Sequence, residues 1–517
     1  MRGADTLVAA LKTGGCDTIF ALSGNQIMPI FDACLDAGLR LVHTRHEAAA
    51  GFMAEGYAQA SGRVGVALVT AGGGLANAIA PLMTSQASQT PLVLLSGDSP
   101  AGLDGAGAFQ EMDQIALTRS LTKLSRRITR PEDLGVATFE AMAIASSGTP
   151  GPVHLSLPVD VLEAHCPPPK LPKPAGPDFP DCPAIIAALQ RASQPLVILG
   201  PALRGASQRL QKTIGCPVLV MESPRGGNDP YLGRIREAWA QADLLVVLGK
   251  PVDFSLGYGK PDLFPRARWI AVHDDPEEIS RTQRNLGSRL EETLVCTPRL
   301  ALEALCSSTD FPDRADWQKS VDALIAARPF LEAKKGISSA SLCAAVQDLV
   351  TPETVLVCDG GEFGQWAQTL RGAGCRIVNG VSGVIGAGIC YAIGAKVALP
   401  DAQIVAMMGD GTVGFHFSEF ETAARENLPF IAVIGNDRRW NAEHLIQMRD
   451  YGKERLHGCT LSGARYDQAA EALGAIGYHV TGASQLASTL ASAVATQLPV
   501  CVNVEIDGLP APSFQSR

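Results

Sequence analysis

Short apolar runs of four to seven residues recur along the 517-residue chain, each bounded by turn residues and separated from the next by amphipathic stretches. Val64–Thr70, Pro91–Ser96, Pro195–Leu199, Leu244–Leu248, Val355–Cys358, Ile404–Met408 and Phe430–Ile434 lack polar alternation, which predicts strands buried on both faces. Helical patterns between them supply the crossovers that a parallel sheet needs, so the expected fold class is α/β. Two breaks divide the pattern. Eight prolines fall in the 17 positions from Pro167 to Pro183, too many for a helix or a central strand, and read as an extended linker. A softer break lies at Ser307–Arg314, before a helical stretch from Trp317. The expected organisation is three domains, each a parallel sheet flanked by helices, at 1–165, 183–306 and 330–510, with the Pro-rich linker at 166–182.

The outer two segments share a motif. Residues 66–97 and 404–435 each run strand, glycine turn, helix and Pro-led strand, a βαβ step with its turn at the carboxyl end of a strand. Duplication and the ordinary likeness of βαβ units both account for it. Composition narrows the class. With 46% hydrophobic and 18% charged residues, a disordered or coiled-coil chain is excluded. A net charge of −9 argues against a nucleic-acid partner. Thirteen cysteines without a Cys-x-x-Cys pair read as free thiols in a reducing, cytoplasmic setting. The first residues have no signal-peptide layout, and the most apolar stretch, 381–400, is broken by Lys396, so no membrane span is expected. These features suit an enzyme with a small-molecule substrate.

The glycine turn Gly409-Asp410-Gly411-Thr412 carries the clearest chemistry. Glycines let backbone N–H groups approach a phosphate, and Asp410 favours a phosphate only by holding a divalent cation beside it. After the next apolar run comes Asn436-Asp437, which puts a second oxygen ligand 27 residues beyond Asp410. No Gly-Lys-Ser/Thr turn exists, and no Gly-x-Gly-x-x-Gly follows a first strand, so neither the P-loop nor the dinucleotide fingerprint applies.

This pairing resembles the thiamine diphosphate signature. Thr44-Arg45-His46-Glu47-Ala48-Ala49-Ala50-Gly51, then Ala54-Glu55-Gly56-Tyr57-Ala58, then Leu68-Val69-Thr70-Ala71-Gly72-Gly73-Gly74 resemble the pyrimidine-binding domain of the acetolactate synthase and benzaldehyde lyase superfamily, most closely that of the benzaldehyde lyases. The resemblance implies a pyrimidine-binding domain at 1–165, a central domain and a diphosphate-binding domain at 330–510. It also implies thiamine diphosphate and Mg²⁺ as cofactors, and a homodimer or homotetramer with active sites between subunits. By the same resemblance Glu47 hydrogen-bonds the aminopyrimidine ring and shares a proton with it. Ile385 is the apolar wedge that bends the cofactor, in a Gly/Ala-rich stretch that otherwise reads as helix. Gly383 offers its carbonyl to the cofactor amine. Gly361, Glu362 and Phe363 lie along the diphosphate, with Gly409, Asp410, Gly411 and Thr412. Gly73 and Asn77 sit near the thiazolium, and Gln110 contacts substrate. Asp410, Asp437 and the Arg439 carbonyl hold the metal.

Two departures bear on function. Asp437 stands where the usual pair has a second Asn, adding a negative charge; Arg438 or Arg439 compensates or is simply solvated. Gln26 stands where benzaldehyde lyases have a proton-handling histidine, and glutamine cannot exchange a proton near neutral pH. Asn25 beside it polarises the pocket, which Phe109, Asn441, Ala442 and His444 complete. His444 reads either as a surface histidine or as a replacement base. The expected function is a carboligase or lyase acting on 2-keto acids or 2-hydroxy carbonyl compounds. A 2-keto acid decarboxylase, a 2-hydroxyacyl-CoA lyase and a non-catalytic thiamine-diphosphate-binding protein are the alternatives.

Overall fold

The computed structural model describes residues 1–171, 180–329, 336–379 and 382–514. Residues 172–179 of the expected linker and the start of the third segment, 330–335, lie outside the described residues. Seventeen described strands form three sheets, all of whose pairs are parallel. The first contains β1 (Thr18–Ala21), β2 (Arg40–His43), β3 (Gly65–Val69), β4 (Leu92–Asp98), β5 (Leu124–Arg127) and β6 (Pro152–Pro158). The second contains β7 (Pro195–Leu199), β8 (Val218–Val220), β9 (Leu244–Leu248), β10 (Arg268–His273) and β11 (Leu290–Val295). The third contains β12 (Thr354–Cys358), β13 (Cys375–Val378), β14 (Gln403–Gly409), β15 (Ile431–Asn436), β16 (Ile476–Val480) and β17 (Val500–Glu505). All seven apolar runs are strands, with ends shifted by two residues or fewer. The fold is α/β with three helix-flanked parallel sheets.

The first and third sheets share one order. The first runs β2-β1-β3-β4-β6-β5 and the third β13-β12-β14-β15-β17-β16. The likeness between 66–97 and 404–435 therefore extends over all six strands.

The described residues of 1–146, 151–172 and 331–512 form one compact unit, and those of 147–150, 173–330 and 513–517 a second. In the first, the helix Glu47–Ser61 packs on the helix Gly388–Ala398 at backbone contact. A Cβ on Gly56 would lie 2.7 Å from the Tyr391 backbone, and one on Gly394 2.0 Å from the Met53 carbonyl oxygen. Between these helices Glu55 is fully buried. It accepts hydrogen bonds from Thr84 Oγ1 (2.5 Å), Tyr391 Oη (2.9 Å), Ser88 Oγ (2.8 Å) and Gln59 Nε2 (3.1 Å). Burial nevertheless pushes its carboxyl above the usual range.

In the second unit, Trp239 stacks on Phe264, which meets Trp269 edge-on. This unit includes the helix Ala315–Ile325, whose Trp317 Nε1 donates to the Pro195 carbonyl (2.8 Å). All thirteen cysteines are free. Among the described residues no helix is long and apolar enough to cross a membrane.

Candidate functional site

Three strand ends in the third sheet carry the glycine turns. Gly409 closes β14 and leads into the short helix Asp410–Val413, and β12 ends before Gly360-Gly361, which opens the helix Gly361–Ala367. Asn436 closes β15 before Asp437. Gly361, Gly383, Gly409 and, in the first sheet's turn, Gly73 have no heavy atom within 4 Å of where a Cβ would sit. These backbones are bare toward open space, as close approach to a diphosphate or ring requires. Other glycines near the same strand ends face neighbours instead. A Cβ on Gly411 would lie 2.7 Å from the Trp440 ring, and one on Gly435 2.7 Å from the Phe363 ring. The aromatic pair thus fixes the depth of the two turns. Glu362 sits half-buried in the first turn of its helix, where Gln365 Nε2 donates to it at 3.3 Å.

Asp410 and Asp437 come together, as the 27-residue spacing predicts. Asp410 is 2% exposed, and its Oδ2 has no hydrogen-bond partner. Burial pushes Asp410 up to about 7, with the Asp437 carboxylate adding to the rise. Burial likewise raises Asp437 to about 6, against the opposing charge of Arg439. A buried carboxylate with an orphaned oxygen beside a half-buried one fits a hard divalent cation, which would supply the missing partner and the missing charge. Backbone N–H groups of Arg438 and Arg439 also reach Asp410, and Arg438 adopts φ +61° to turn the chain there. Thr412 caps back to the Gly409 carbonyl (3.2 Å), and Tyr466 Oη donates to the Asp410 carbonyl (2.9 Å). Among the described residues no group of three or more His, Cys, Asp and Glu side chains is placed to hold a metal.

A second cluster gathers at the carboxyl ends of β1 and β3. Glu47 is the first residue of its helix, half-buried, and Asn77 Nδ2 donates to its Oε2 at 3.0 Å. His46 caps that helix, its Nδ1 accepting from Ala48 N–H at 3.1 Å. Gln26 is 4% exposed. Its Nε2 donates to Gln110 Oε1 (2.8 Å), and Thr70 Oγ1 donates to its Oε1 (2.6 Å). The two glutamines expected at the substrate are therefore one hydrogen-bonded unit. Gln110 adopts φ +62°, held against Gly72.

The other residues expected around the substrate differ in exposure. Phe109 is 79% exposed and Asn25 is exposed. Ala442 and His444 are half-buried on the helix Asn441–Asp450, where Cys459 Sγ lies 3.7 Å from His444 Nδ1. Burial and the Arg439 charge hold the His444 imidazole below its usual pKa. Asn441 is 8% exposed and donates through Nδ2 to the Leu509 carbonyl at 3.3 Å. One expectation is corrected: Ile385 is not in a helix. Gly383 (φ +76°) and Gly386 (φ +89°) hold the preceding stretch open, and the helix begins at Gly388.

The cause of that turn is Asp359, which sequence reasoning missed. Its carboxylate accepts from the N–H groups of Gly360 (2.6 Å), Gly386 and Gly388 (3.0 Å each) and from Asn379 Nδ2 (3.0 Å). One buried side chain thus shapes both glycine turns around Ile385, whose Cγ2 lies 2.3 Å from where a Gly360 Cβ would sit. An Asp before Gly-Gly at a strand end was the available signal. Glu419 was missed too. It is fully buried, accepts from Arg45 N–H (3.0 Å) just before Glu47, and is raised by burial to about 7.

Comparison with known proteins supplies independent findings. Residues 1–117 match the thiamine pyrophosphate enzyme N-terminal TPP binding domain, and residues 359–504 the C-terminal TPP binding domain of that family. The chain is 31% identical to 2-hydroxyacyl-CoA lyase 2 of Bos taurus, over 92% of the chain and 84% of the relative. It is 30% identical to an acetolactate synthase large subunit of Mycobacterium tuberculosis, over 100% of the chain and 97% of the relative. The acetolactate synthase large subunit of Parasynechococcus marenigrum is also 30% identical, over 98% of the chain and 88% of the relative.

Proposed function

The chain belongs to the thiamine pyrophosphate enzymes, and from that premise we propose that it joins or cleaves a carbon–carbon bond next to a carbonyl in 2-keto acids or 2-hydroxy carbonyl compounds. That it is a thiamine-diphosphate-dependent carboligase or lyase follows from its family and relatives. Thiamine diphosphate supplies a thiazolium carbon that adds to carbonyl groups and stabilises negative charge there. The residues divide the remaining work. Asp410, Asp437 and the Arg439 carbonyl would hold Mg²⁺. Gly361, Glu362, Phe363, Gly409, Gly411 and Thr412 would line the diphosphate. Ile385 and the Gly383 carbonyl would set the ring geometry, with Gly73 and Asn77 beside the thiazolium. Glu47 would hold a proton at the aminopyrimidine ring, steadied by the Asn77 amide.

The observation that supports the reading most directly is the set of bare glycines beside a buried carboxylate oxygen without a partner. Gln26 and Gln110 orient substrate oxygens by donating and accepting, and neither moves a proton. That favours carboligation or decarboxylation, in which protons are handled by the cofactor and Glu47. The relatedness to 2-hydroxyacyl-CoA lyase 2 favours a second reading, cleavage of a 2-hydroxyacyl-CoA. We assign 1–165 as the pyrimidine-binding domain, 183–306 as the central domain and 330–510 as the diphosphate-binding domain. We also infer a homodimer or homotetramer in which the Glu47 cluster of one chain faces the Asp410 cluster of another, and a cytoplasmic location in keeping with the free thiols.

The test is a panel of 2-keto acids, acyloins and 2-hydroxyacyl-CoAs, with and without thiamine diphosphate and Mg²⁺. Cofactor-dependent CO₂ release or ligation marks the first reading, aldehyde release from the CoA thioester the second. Cofactor binding without turnover of any class refutes both and leaves a non-catalytic binding protein. Mixing inactive Glu47→Gln and Asp410→Asn chains should restore part of the activity if sites form between subunits.

A further inference from the structure

We propose that Asn441 contributes its side-chain oxygen to the divalent cation, and that Asp410, Asp437 and Asn441 together bind that cation before any diphosphate arrives. The inference rests on the cation site proposed above. Its first support is a pair of orphaned atoms. Asp410 Oδ2 and Asn441 Oδ1 are both buried without a hydrogen-bond partner, on side chains 2% and 8% exposed. Buried polar atoms are nearly always satisfied, and an orphan destabilises the fold unless a ligand fills its place.

The second support is orientation. Asn441 Nδ2 donates to the Leu509 carbonyl, which fixes the amide and leaves Oδ1 as its buried, unpartnered acceptor. The third is proximity. A Cβ on Gly508 would lie 2.1 Å from Asp437 Oδ2 and 2.9 Å from Asn441 Nδ2, so the carboxylate and the amide both abut the same tail glycine. Asp437 in turn contacts Asp410. Two buried acceptors without a donor, one of them in a carboxylate pair, call for a cation that prefers oxygen.

Charge then decides the order of binding. One carboxylate leaves a divalent cation half neutralised, so such a site depends on the diphosphate for the rest. Two carboxylates neutralise it within the protein, and the Asn441 amide oxygen joins the Arg439 carbonyl as a further ligand without charge.

The experiment uses the full chain freed of cofactor by EDTA and gel filtration, with Mn²⁺ as probe and electron paramagnetic resonance to count free Mn²⁺. Wild type should take up one Mn²⁺ per chain without thiamine diphosphate. Asn441→Ala should weaken that binding about tenfold, in line with losses at metal-site neighbours. Asn441→Asp keeps an oxygen but cannot donate to Leu509, so it should bind Mn²⁺ at least as tightly as wild type. Circular dichroism melts confirm that each variant is folded. The inference is overturned if the cofactor-free chain takes up no Mn²⁺, if Asn441→Ala binds as tightly as wild type, or if both variants weaken alike, which would assign the effect to the tail.

Trp440, packed on Gly411, reports diphosphate binding separately through its fluorescence. A chain that answers thiamine diphosphate plus Mg²⁺ yet takes no Mn²⁺ alone overturns the inference and leaves the cofactor reading intact. A chain that takes Mn²⁺ alone but ignores the diphosphate upholds the inference and refutes that reading.

Discussion

Gly360→Ala tests the geometry around Ile385. The backbone there has φ −73°, which any residue tolerates, so the substitution acts through space alone. The new methyl would lie 2.3 Å from Ile385 Cγ2 and 3.2 Å from its Cβ. Comfortable carbon–carbon contact is near 3.5–4.0 Å, so the side chain must yield by about 1.5 Å. Asp359 anchors the turns on both sides of that contact, through Gly360 on one and Gly386 and Gly388 on the other, so relief by backbone movement is costly. Overpacking of this kind costs about 1–3 kcal/mol. Ile385→Ala removes Cγ2 and should cost roughly 1–2 kcal/mol by itself, since the side chain is only half-buried. In the double variant the methyl occupies the vacated space, and the two costs should fall short of their sum by at least about 1 kcal/mol. Urea denaturation of the four proteins measures the coupling. Thiamine diphosphate affinity, followed by Trp440 fluorescence, should drop in Gly360→Ala. Additive costs, or an unchanged affinity, would show that Ile385 is free to move and does not shape the site.

Glu47→Gln should keep the fold and lower turnover by at least about 100-fold, the scale of a positioned proton-transfer group; activity within a few-fold of wild type rules out the assigned role. Gln26→His puts a titratable imidazole beside Thr70 and Gln110, so the pH profile of kcat should gain an inflection near neutral pH, and an unchanged profile would place Gln26 outside the reaction. His154 offers a test of stability. It is fully buried, bonded to Ser96 (2.8 Å) and Thr118 (2.9 Å), and burial lowers its pKa to about 4. The unfolded imidazole takes up a proton near pH 6.5 but the folded one does not, so stability is lost as pH falls from 6.5 toward 4. Between pH 7 and pH 5 this amounts to about 2 kcal/mol that a folded His154→Asn protein should not lose. Parallel urea curves for wild type and variant at the two pH values would exclude the effect.

The strands were legible because a strand covered on both faces by helices must be apolar along its length, and such runs stand out. The glycine turns were legible because backbone approach to a ligand leaves little choice of residue. Ile385 shows what remained hidden. Gly383 to Ala398 reads as one helix by composition, yet the first turn is pulled open by an aspartate more than twenty residues earlier in sequence. Glu55 is similar. It sits in a recognisable motif, but its four partners come from three separated segments, and nothing local announces a buried carboxyl. The pairing of Gln26 with Gln110 joins residues 84 apart, which only the folded chain displays. Long-range polar contacts set the positions that local patterns could only nominate.

The facing glycines of the two packed helices make a gauge. Gly56 rests on the backbone at Tyr391 and Gly394 on that at Met53, so each helix is the stop against which the other is set. Their separation depends on neither side-chain size nor rotamer, and drift in the surrounding core leaves it unaltered. Glu47 begins one of these helices and the Gly383–Gly388 turn leads into the other. A single added methyl at either glycine would therefore shift both functional clusters at once, without touching a residue of either.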